Sequence, residues 1–221
     1  MTPARAALLL IADAPTVGAE AALAAVEAVL ARVPGRHVAV VDRDRDPARG
    51  GSSDRARLAR LAALRAVTAA AGTLLVVTGR ADLAQAAGAD GVQLPERGLP
   101  VAAVRAAFPR LRVGRSCHDR AGLLAAAAAG ADWATLAPVR APWSKKAPSG
   151  PPLGVDGFAR AVAGAGLPVY ALGGIGPDLV AALADAGASG VATIGAVFGQ
   201  ADPAGAAAAL LAPWAAPRAD T

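Results

Sequence analysis

Eight short apolar runs alternate with eight helical stretches along the 221 residues, and this alternation predicts a single-domain (β/α)8 TIM barrel covering residues 1–221. Two further observations support this fold class. The apolar runs lack strict polar alternation, as expected for parallel strands that are covered on both faces. No linker divides the chain, because the Gly-, Ser- and Arg-rich stretch 46–53 lies between a strand and a helix and is interpreted as a loop.

The elements follow one another in a regular order. The predicted strands are AALLLIAD, HVAVVD, TLLVVT, GVQL, LRVG, WATLAP, PVYALGG and GVATIG. The predicted helices span residues 17–33, 53–71, 81–87, 101–108, 119–129, 155–165, 177–186 and 203–211. Helix-start residues such as Asp119 and Pro177, and terminating glycines such as Gly130 and Gly187, support these bounds. We expect residues 213–221 to form a flexible C-terminal tail.

Composition limits the classes of function. The chain is 55% hydrophobic but only 3% aromatic, which predicts an aliphatic core and disfavours the stacking of nucleobases. The net charge of +5 comes from arginines interleaved with acids, a pattern typical of an ordinary solvated surface. A single cysteine excludes an internal disulfide, and the longest uncharged stretch, 161–177, contains glycines and prolines. We therefore expect a cytoplasmic protein with no nucleic-acid or membrane partner, while a homo-oligomer stays open.

The active site of such a barrel lies at the carboxyl ends of its strands, so the residues that follow each apolar run are the candidates. Cations, hydroxyls or glycines follow six of the runs: Arg43 and Arg45 after the second, Gly79 and Arg80 after the third, Ser116 and His118 after the fifth, Ser144 and Lys145 after the sixth, Gly173 and Gly174 after the seventh, and Ile194 and Gly195 after the eighth. This set predicts an anionic ligand, most simply a phosphate.

The glycines after the last two strands give the most physical support for a phosphate. Backbone amides that small residues leave accessible, aimed by a helix start at Pro177, are suited to bind a phosphate in this part of a barrel. The alternative is that these glycines only permit tight turns. We expect a side chain at Gly174 or Gly195 to obstruct the ligand without unfolding the barrel.

The segment GRSCHD, residues 114–119, contains the only cysteine beside one of two histidines. Neighbouring side chains of an extended segment point to opposite sides, so Ser116 and His118 can share a face while Cys117 points away. We interpret Cys117 as a small apolar residue packed outside the barrel. His118 is either a helix-start residue bonded to the backbone or a proton-transfer group.

Four segments together are similar to the thiamine phosphate synthase/TenI superfamily: RADLAQAAGADGVQLPERGLPVAAVRAAFPRLRVGRSCHD, GADWATLAPVRAPWSKKAPSGPPLG, LPVYALGGIGPDLVAALADAGASGVATIGAVF and, more faintly, VVDRDRD. The resemblance implies a phosphate-binding (β/α)8 barrel of thiamine biosynthesis. It places Gly173, Gly174, Ile194 and Gly195 in a thiazole-phosphate pocket, Lys145 at a phosphate or pyrophosphate, and Ser116 in the site wall. It also places Arg43 and Arg45 where the superfamily has an Arg-Glu-Lys triplet that meets a pyrimidine pyrophosphate.

Departures from the synthase pattern favour the TenI-like branch. Synthase members hold Mg²⁺ with an aspartate after the third strand and another after the fourth, whereas this chain has Arg80 and Gly98 there, with Glu96 able to supply one carboxylate at most. The resemblance then implies a metal-independent thiazole tautomerase with no cofactor, a thiazole phosphate substrate, and His118 as acid/base. Two alternatives stay open. One is a divergent, Mg²⁺-using thiamine phosphate synthase, and the other is a non-catalytic phosphate-binding or regulatory relative.

Overall fold

A computed structural model describes residues 6–44, 50–141 and 151–215. Eight parallel strands pair in chain order and close on themselves through β1 and β8, which confirms the predicted (β/α)8 barrel. The strands are β1 Leu8–Asp13, β2 Val38–Arg43, β3 Leu74–Thr78, β4 Gly91–Leu94, β5 Arg112–Cys117, β6 Trp133–Leu136, β7 Val169–Leu172 and β8 Gly190–Thr193.

Helices cover the outside of this barrel. They are α1 Ala14–Val17, α2 Ala19–Arg32, α3 Asp54–Ala70, α4 Ala81–Ala86, α5 Val101–Ala107, α6 Arg120–Ala128, α7 Gly154–Val162, α8 Val180–Asp185 and α9 Pro203–Ala215. One turn of 3-10 helix, Gly35–His37, precedes β2. In the part of the chain described, no helix is long and apolar enough to cross a bilayer.

Several element bounds differ from the sequence prediction, and three of the differences concern helices at the ends of the chain and after β7. The first predicted helix is divided at Gly18, whose φ of 84° interrupts the helical backbone. The helix predicted from Pro177 begins only at Val180, after a turn closed by a hydrogen bond from Leu179 N to Gly176 O. The last helix continues through Pro213 to Ala215, so the first three residues of the predicted flexible tail are helical.

Two apolar clusters hold the barrel together. The outer cluster fills the layer between strands and helices, and the inner cluster fills the barrel itself. Trp133 and Tyr170, two of the few large rings in the chain, are fully buried in the inner cluster. Gly114 on β5 makes room for this packing, because a Cβ there would lie 2.2 Å from Cε2 of Trp133. The inward and outward residues of each strand therefore alternate as the pleat requires.

Candidate functional site

The parallel closed barrel brings the carboxyl ends of all eight strands to one face, called here the mouth. Arg43, Ser116 and His118 lie at this face, as do the two glycine-containing segments that follow β7 and β8. Arg45, Ser144 and Lys145, together with Pro142 and Trp143, lie outside the described residues. The mouth therefore unites every predicted site residue that the structure describes.

Arg43 ends β2 and is paired in register with Asp13 at the end of β1. The Arg43 guanidinium donates to Oδ2 of Asp13, which also accepts from Thr16 Oγ1 at 2.8 Å. The Asp13 side chain is only 4% exposed, and its Oδ1 is buried with no hydrogen-bond partner in the structure described. Asp13 is not among the site residues predicted from the sequence. Its only signal was a carboxylate that closes an otherwise apolar strand.

An ion network holds the end of β2 from the outer side. Asp42 is fully buried and accepts from Nε of Arg57 and from Nε of Arg60, both at 2.8 Å. Arg60 also donates to Oδ2 of Asp44 at 2.8 Å and to Oγ of Ser52 at 3.1 Å. Asp42 and Asp44 thus point toward α3, and the alternation of a strand then turns the residue between them toward the mouth. This network fixes the direction of Arg43.

Arg80 follows β3, at one of the two positions compared above with a metal-binding aspartate. Its guanidinium donates two hydrogen bonds to Asp54, at 2.8 and 2.9 Å, and two to Asp82, at 2.8 and 2.6 Å. Hydrogen bonds from Arg80 lower the pKa of both carboxyls. The charge of Arg80 is therefore used within the outer rim of the barrel.

A Mg²⁺ site requires several oxygen ligands in octahedral geometry. Within residues 6–44, 50–141 and 151–215, no three His, Cys, Asp or Glu side chains lie together as a metal site. Glu96 supplies one half-exposed carboxylate, and Oδ2 of Asp13 is already committed to Arg43. The described residues therefore do not fit Mg²⁺.

The end of β5 directs Ser116 and Cys117 to opposite sides of the strand, as the pleat predicts. Cys117 is buried in the outer cluster, and burial raises the pKa of its thiol to about 11. Ser116 faces inward, where its Oγ accepts from Nε2 of Gln93 at 3.1 Å. β5 also extends through Cys117, three residues beyond the predicted strand. A buried thiol with a raised pKa is a poor nucleophile, in agreement with its interpretation as a packed apolar residue.

His118 follows β5 and is 30% exposed. Its Nδ1 lies 2.7 Å from the carbonyl oxygen of Ala137, which can only accept, so Nδ1 carries a proton. Nε2 lies 4.0 Å from Oε2 of Glu96. In the neutral ring this arrangement leaves Nε2 as the unprotonated nitrogen. The backbone hydrogen bond of one interpretation is thus present, and proton transfer stays a prediction.

Gln93 is the site neighbour that the sequence analysis missed. It stands inside the barrel on β4, with Trp133 and Thr135 of β6 as hydrogen-bond partners besides Ser116. The signal was available, since an amide in the middle of the apolar strand GVQL must find partners when it is buried. Which partners it finds depends on the closure of the barrel, and local sequence does not contain that information.

The glycines after β7 and β8 differ from each other. Gly173 and Gly174 have φ values of 100° and 62°, and a Cβ on Gly174 would lie 2.8 Å from the carbonyl oxygen of Ala141. Gly195 is exposed with no atom within 4 Å of an added Cβ, and neighbouring Ile194 packs on the inner cluster. The expectation that either glycine would tolerate a side chain is therefore wrong for Gly174, whose replacement strains the backbone. It holds geometrically for Gly195.

Known proteins similar to this chain identify the family to which it belongs. A family model described as thiamine monophosphate synthase matches residues 8–197. A putative thiamine-phosphate synthase of Geobacter sulfurreducens is 42% identical over 207 residues, which cover 93% of this chain and 92% of that protein. A thiamine-phosphate synthase of Anaeromyxobacter dehalogenans is 46% identical over 147 residues, 66% of each chain. The solved thiamine phosphate pyrophosphorylase of Pyrococcus furiosus has a TM-score of 0.81 and 26% identity, covering 95% of both chains.

Proposed function

Because this chain belongs to the thiamine monophosphate synthase family, we propose that it is a thiamine-phosphate synthase, joining a hydroxymethylpyrimidine pyrophosphate to a thiazole phosphate. The observation that carries the proposal is the 42% identity to a putative thiamine-phosphate synthase across 93% of the chain. This order reverses the preference of the sequence analysis, which placed the tautomerase first. The reason is that the two relatives described above, which cover 93% and 66% of this chain, carry the name thiamine-phosphate synthase, the first of them as putative.

The proposed reaction breaks the carbon–oxygen bond between the pyrimidine methylene and the pyrophosphate, whose oxygen keeps the electron pair. The lone pair of the thiazole nitrogen forms the new carbon–nitrogen bond, and inorganic pyrophosphate leaves. Arg43 supplies positive charge on the β2 side of the mouth, where the leaving group would gain negative charge. The backbone around Gly195 receives the phosphate of the thiazole, which holds the attacking nitrogen in place.

The test is an assay with both substrates, measuring thiamine phosphate and released pyrophosphate with and without Mg²⁺ or EDTA. We expect both products in equal amounts. Strong inhibition by EDTA would assign a metal role to the substrate phosphates together with Glu96. Binding of thiazole phosphate without product would overturn the synthase proposal.

A metal-independent thiazole tautomerase is the second candidate, and the observation that favours it is the geometry of His118. The bond from Nδ1 to Ala137 O holds the ring so that Nε2 can remove a proton from carbon and return one elsewhere. Under this candidate, His118→Asn lowers the tautomerisation rate by ~100-fold to ~10,000-fold with little change in binding. Cys117→Ala, the neighbouring control, stays active. A fully active His118→Asn protein would remove this candidate.

A non-catalytic role is the outcome left if neither assay gives product. The same protein would then bind a thiazole phosphate without turnover, as expected of a phosphate-binding or regulatory relative. Binding measured by calorimetry separates this outcome from a protein that does not recognise the ligand.

A further inference from the structure

We infer that Gln93 is a positioning residue that fixes the direction of the Ser116 hydroxyl, so that Ser116 donates its hydrogen to a phosphate oxygen of the bound substrate. The inference rests on the proposed function, because that function places a phosphate or pyrophosphate at the mouth. Gln93 itself lies one layer below Ser116 and would not touch the ligand.

The orientation of the Gln93 amide follows from Trp133. Nε1 of Trp133 lies 2.8 Å from Oε1 of Gln93, and an indole nitrogen can only donate. The amide oxygen must therefore face Trp133, which turns the amide nitrogen toward β5 and β6. With the oxygen fixed in this way, the orientation does not depend on the similarity of the two amide atoms.

The amide nitrogen then determines what Ser116 can do. Nε2 of Gln93 lies 3.1 Å from Oγ of Ser116 and 3.4 Å from Oγ1 of Thr135, and it can only donate. Ser116 accordingly accepts from below and cannot direct its own hydrogen at Gln93. Since Ser116 is partly exposed at the end of β5, its hydrogen is available to a ligand in the mouth.

The fold holds this arrangement firmly. Gln93, Trp133 and Thr135 are 7%, 0% and 4% exposed. Gly114 stands in register with both Gln93 and Trp133, and a Cβ there would lie 2.3 Å from Oε1 of Gln93. The absence of a side chain on β5 thus lets the amide of β4 reach across to β6. A hydroxyl oriented by such a buried cluster can meet an anion with little loss of side-chain freedom.

The experiment is a double-mutant cycle with Gln93→Glu and Ser116→Ala, titrated by calorimetry with thiazole phosphate and, separately, with inorganic pyrophosphate. A carboxylate at position 93 only accepts, so Ser116 would point its hydrogen downward and present lone pairs to the anion. We expect each single variant to bind ~10-fold more weakly, and the double variant to bind no more weakly than Ser116→Ala alone. The ligand that loses affinity identifies the phosphate that Ser116 meets.

A pH series gives a readout that a purely structural role would not produce. A protonated carboxyl can donate as the amide does, so acidification should restore affinity in Gln93→Glu relative to the natural protein. Gln93→Met serves as a neutral second variant if the carboxylate prevents folding, with an expected loss of ~3-fold. Thr73→Val is the matched control, since it removes a buried threonine hydroxyl that bonds Gly35 O at the amino end of β3, away from the mouth, and should leave affinity unchanged.

The outcomes separate the inference from the proposed function. Additive losses in the double variant, or unchanged affinity in both Gln93 variants, would overturn the role of Gln93 while the phosphate site survives. Unchanged affinity in Ser116→Ala would overturn the role of Ser116 and the inference with it. Absence of binding of either ligand by the natural protein would overturn the proposed function itself.

Discussion

Two sides of the barrel mouth offer an anion different chemistry. At the end of β2, a charged side chain, Arg43, is held between a buried aspartate and an ion network on the outer surface of the strand. After β7 and β8, glycines lie at the mouth, and the Arg140–Asp178 ion pair beside them is exposed rather than buried. A charged side recognises an anion through a field that salt and substitution can weaken. The glycine segments would bind the anion through backbone N–H groups, and a bulky side chain introduced there would block the anion.

Arg60→Met should have the largest effect, because it breaks the ion network behind the charged side. Arg60 is 9% exposed, and its loss removes one of the two guanidinium groups that contact the fully buried Asp42. We expect the free energy of unfolding to fall by ~3–5 kcal/mol, measured by denaturant titration. Arg32→Met is the matched control, since the Arg32–Asp202 pair is 63% and 59% exposed, so solvent screens it and the free energy of unfolding should change little. Equal losses in both variants would contradict the structural role of the network.

Gly195→Val tests the backbone side by bulk alone. A Cβ at this position has no neighbouring atom within 4 Å, so the melting temperature should change little while the affinity for thiazole phosphate falls by ~100-fold or more. Gly174→Val should instead lower the melting temperature. Gly174 has a φ of 62°, and an added Cβ would lie 2.8 Å from the carbonyl oxygen of Ala141. Unchanged affinity in a folded Gly195→Val protein would remove the pocket assignment.

Arg43→Gln tests the charged side without touching the network behind it. We expect ~10-fold weaker binding of inorganic pyrophosphate and a shallower dependence of affinity on salt, measured by titration at several ionic strengths. The Asp13 carboxylate then loses its cation, and Asp13→Asn in the same protein should recover stability but not affinity. Arg110→Gln, with the same change of charge on an exposed residue before β5, is the control. An equal loss of pyrophosphate affinity in Arg110→Gln would show that the effect of Arg43→Gln comes only from the change in net charge.

Arg80→Met should have the smallest effect on binding, because its guanidinium is used by Asp54 and Asp82. The pKa of each of these carboxyls is lowered in the folded protein by its bond to Arg80. Their contribution to stability is complete above the unfolded pKa of ~3.9 and is lost as pH falls below it through the lowered folded values. The stability gap between the natural protein and Arg80→Met should therefore narrow below about pH 4 in a series of melts. Weaker ligand binding in Arg80→Met would return Arg80 to the site.

The sequence was sufficient for the barrel, because each buried strand is a continuous apolar run and each run predicts its own element. It was less sufficient where a strand is polar: β5 ends with Arg115, Ser116 and Cys117, and Arg115 is accommodated by the carbonyl oxygens of Glu96 and Leu99. Those partners come from a different loop and leave no local trace.

The candidate site likewise contains residues that the sequence predicts and residues that it does not. Ser116 lies at the end of β5, and the glycines follow β7 and β8, so their position along the chain predicts their place in the mouth. Asp13 and Gln93 act through neighbours on other strands, at register positions that exist only once the barrel closes. Pairing across strands is the information that a single sequence lacks.

The buried thiol of Cys117 can be used to measure local opening of the barrel. It is the only cysteine of the chain, and it packs against Gly122 of α6, whose added Cβ would lie 3.8 Å from Sγ. With a pKa of about 11, roughly one thiol in a thousand is ionised at pH 8, and burial hides even that fraction from a reagent. Alkylation must then wait for α6 to separate from β5. The rate of labelling therefore measures how often α6 separates from β5, without an added probe.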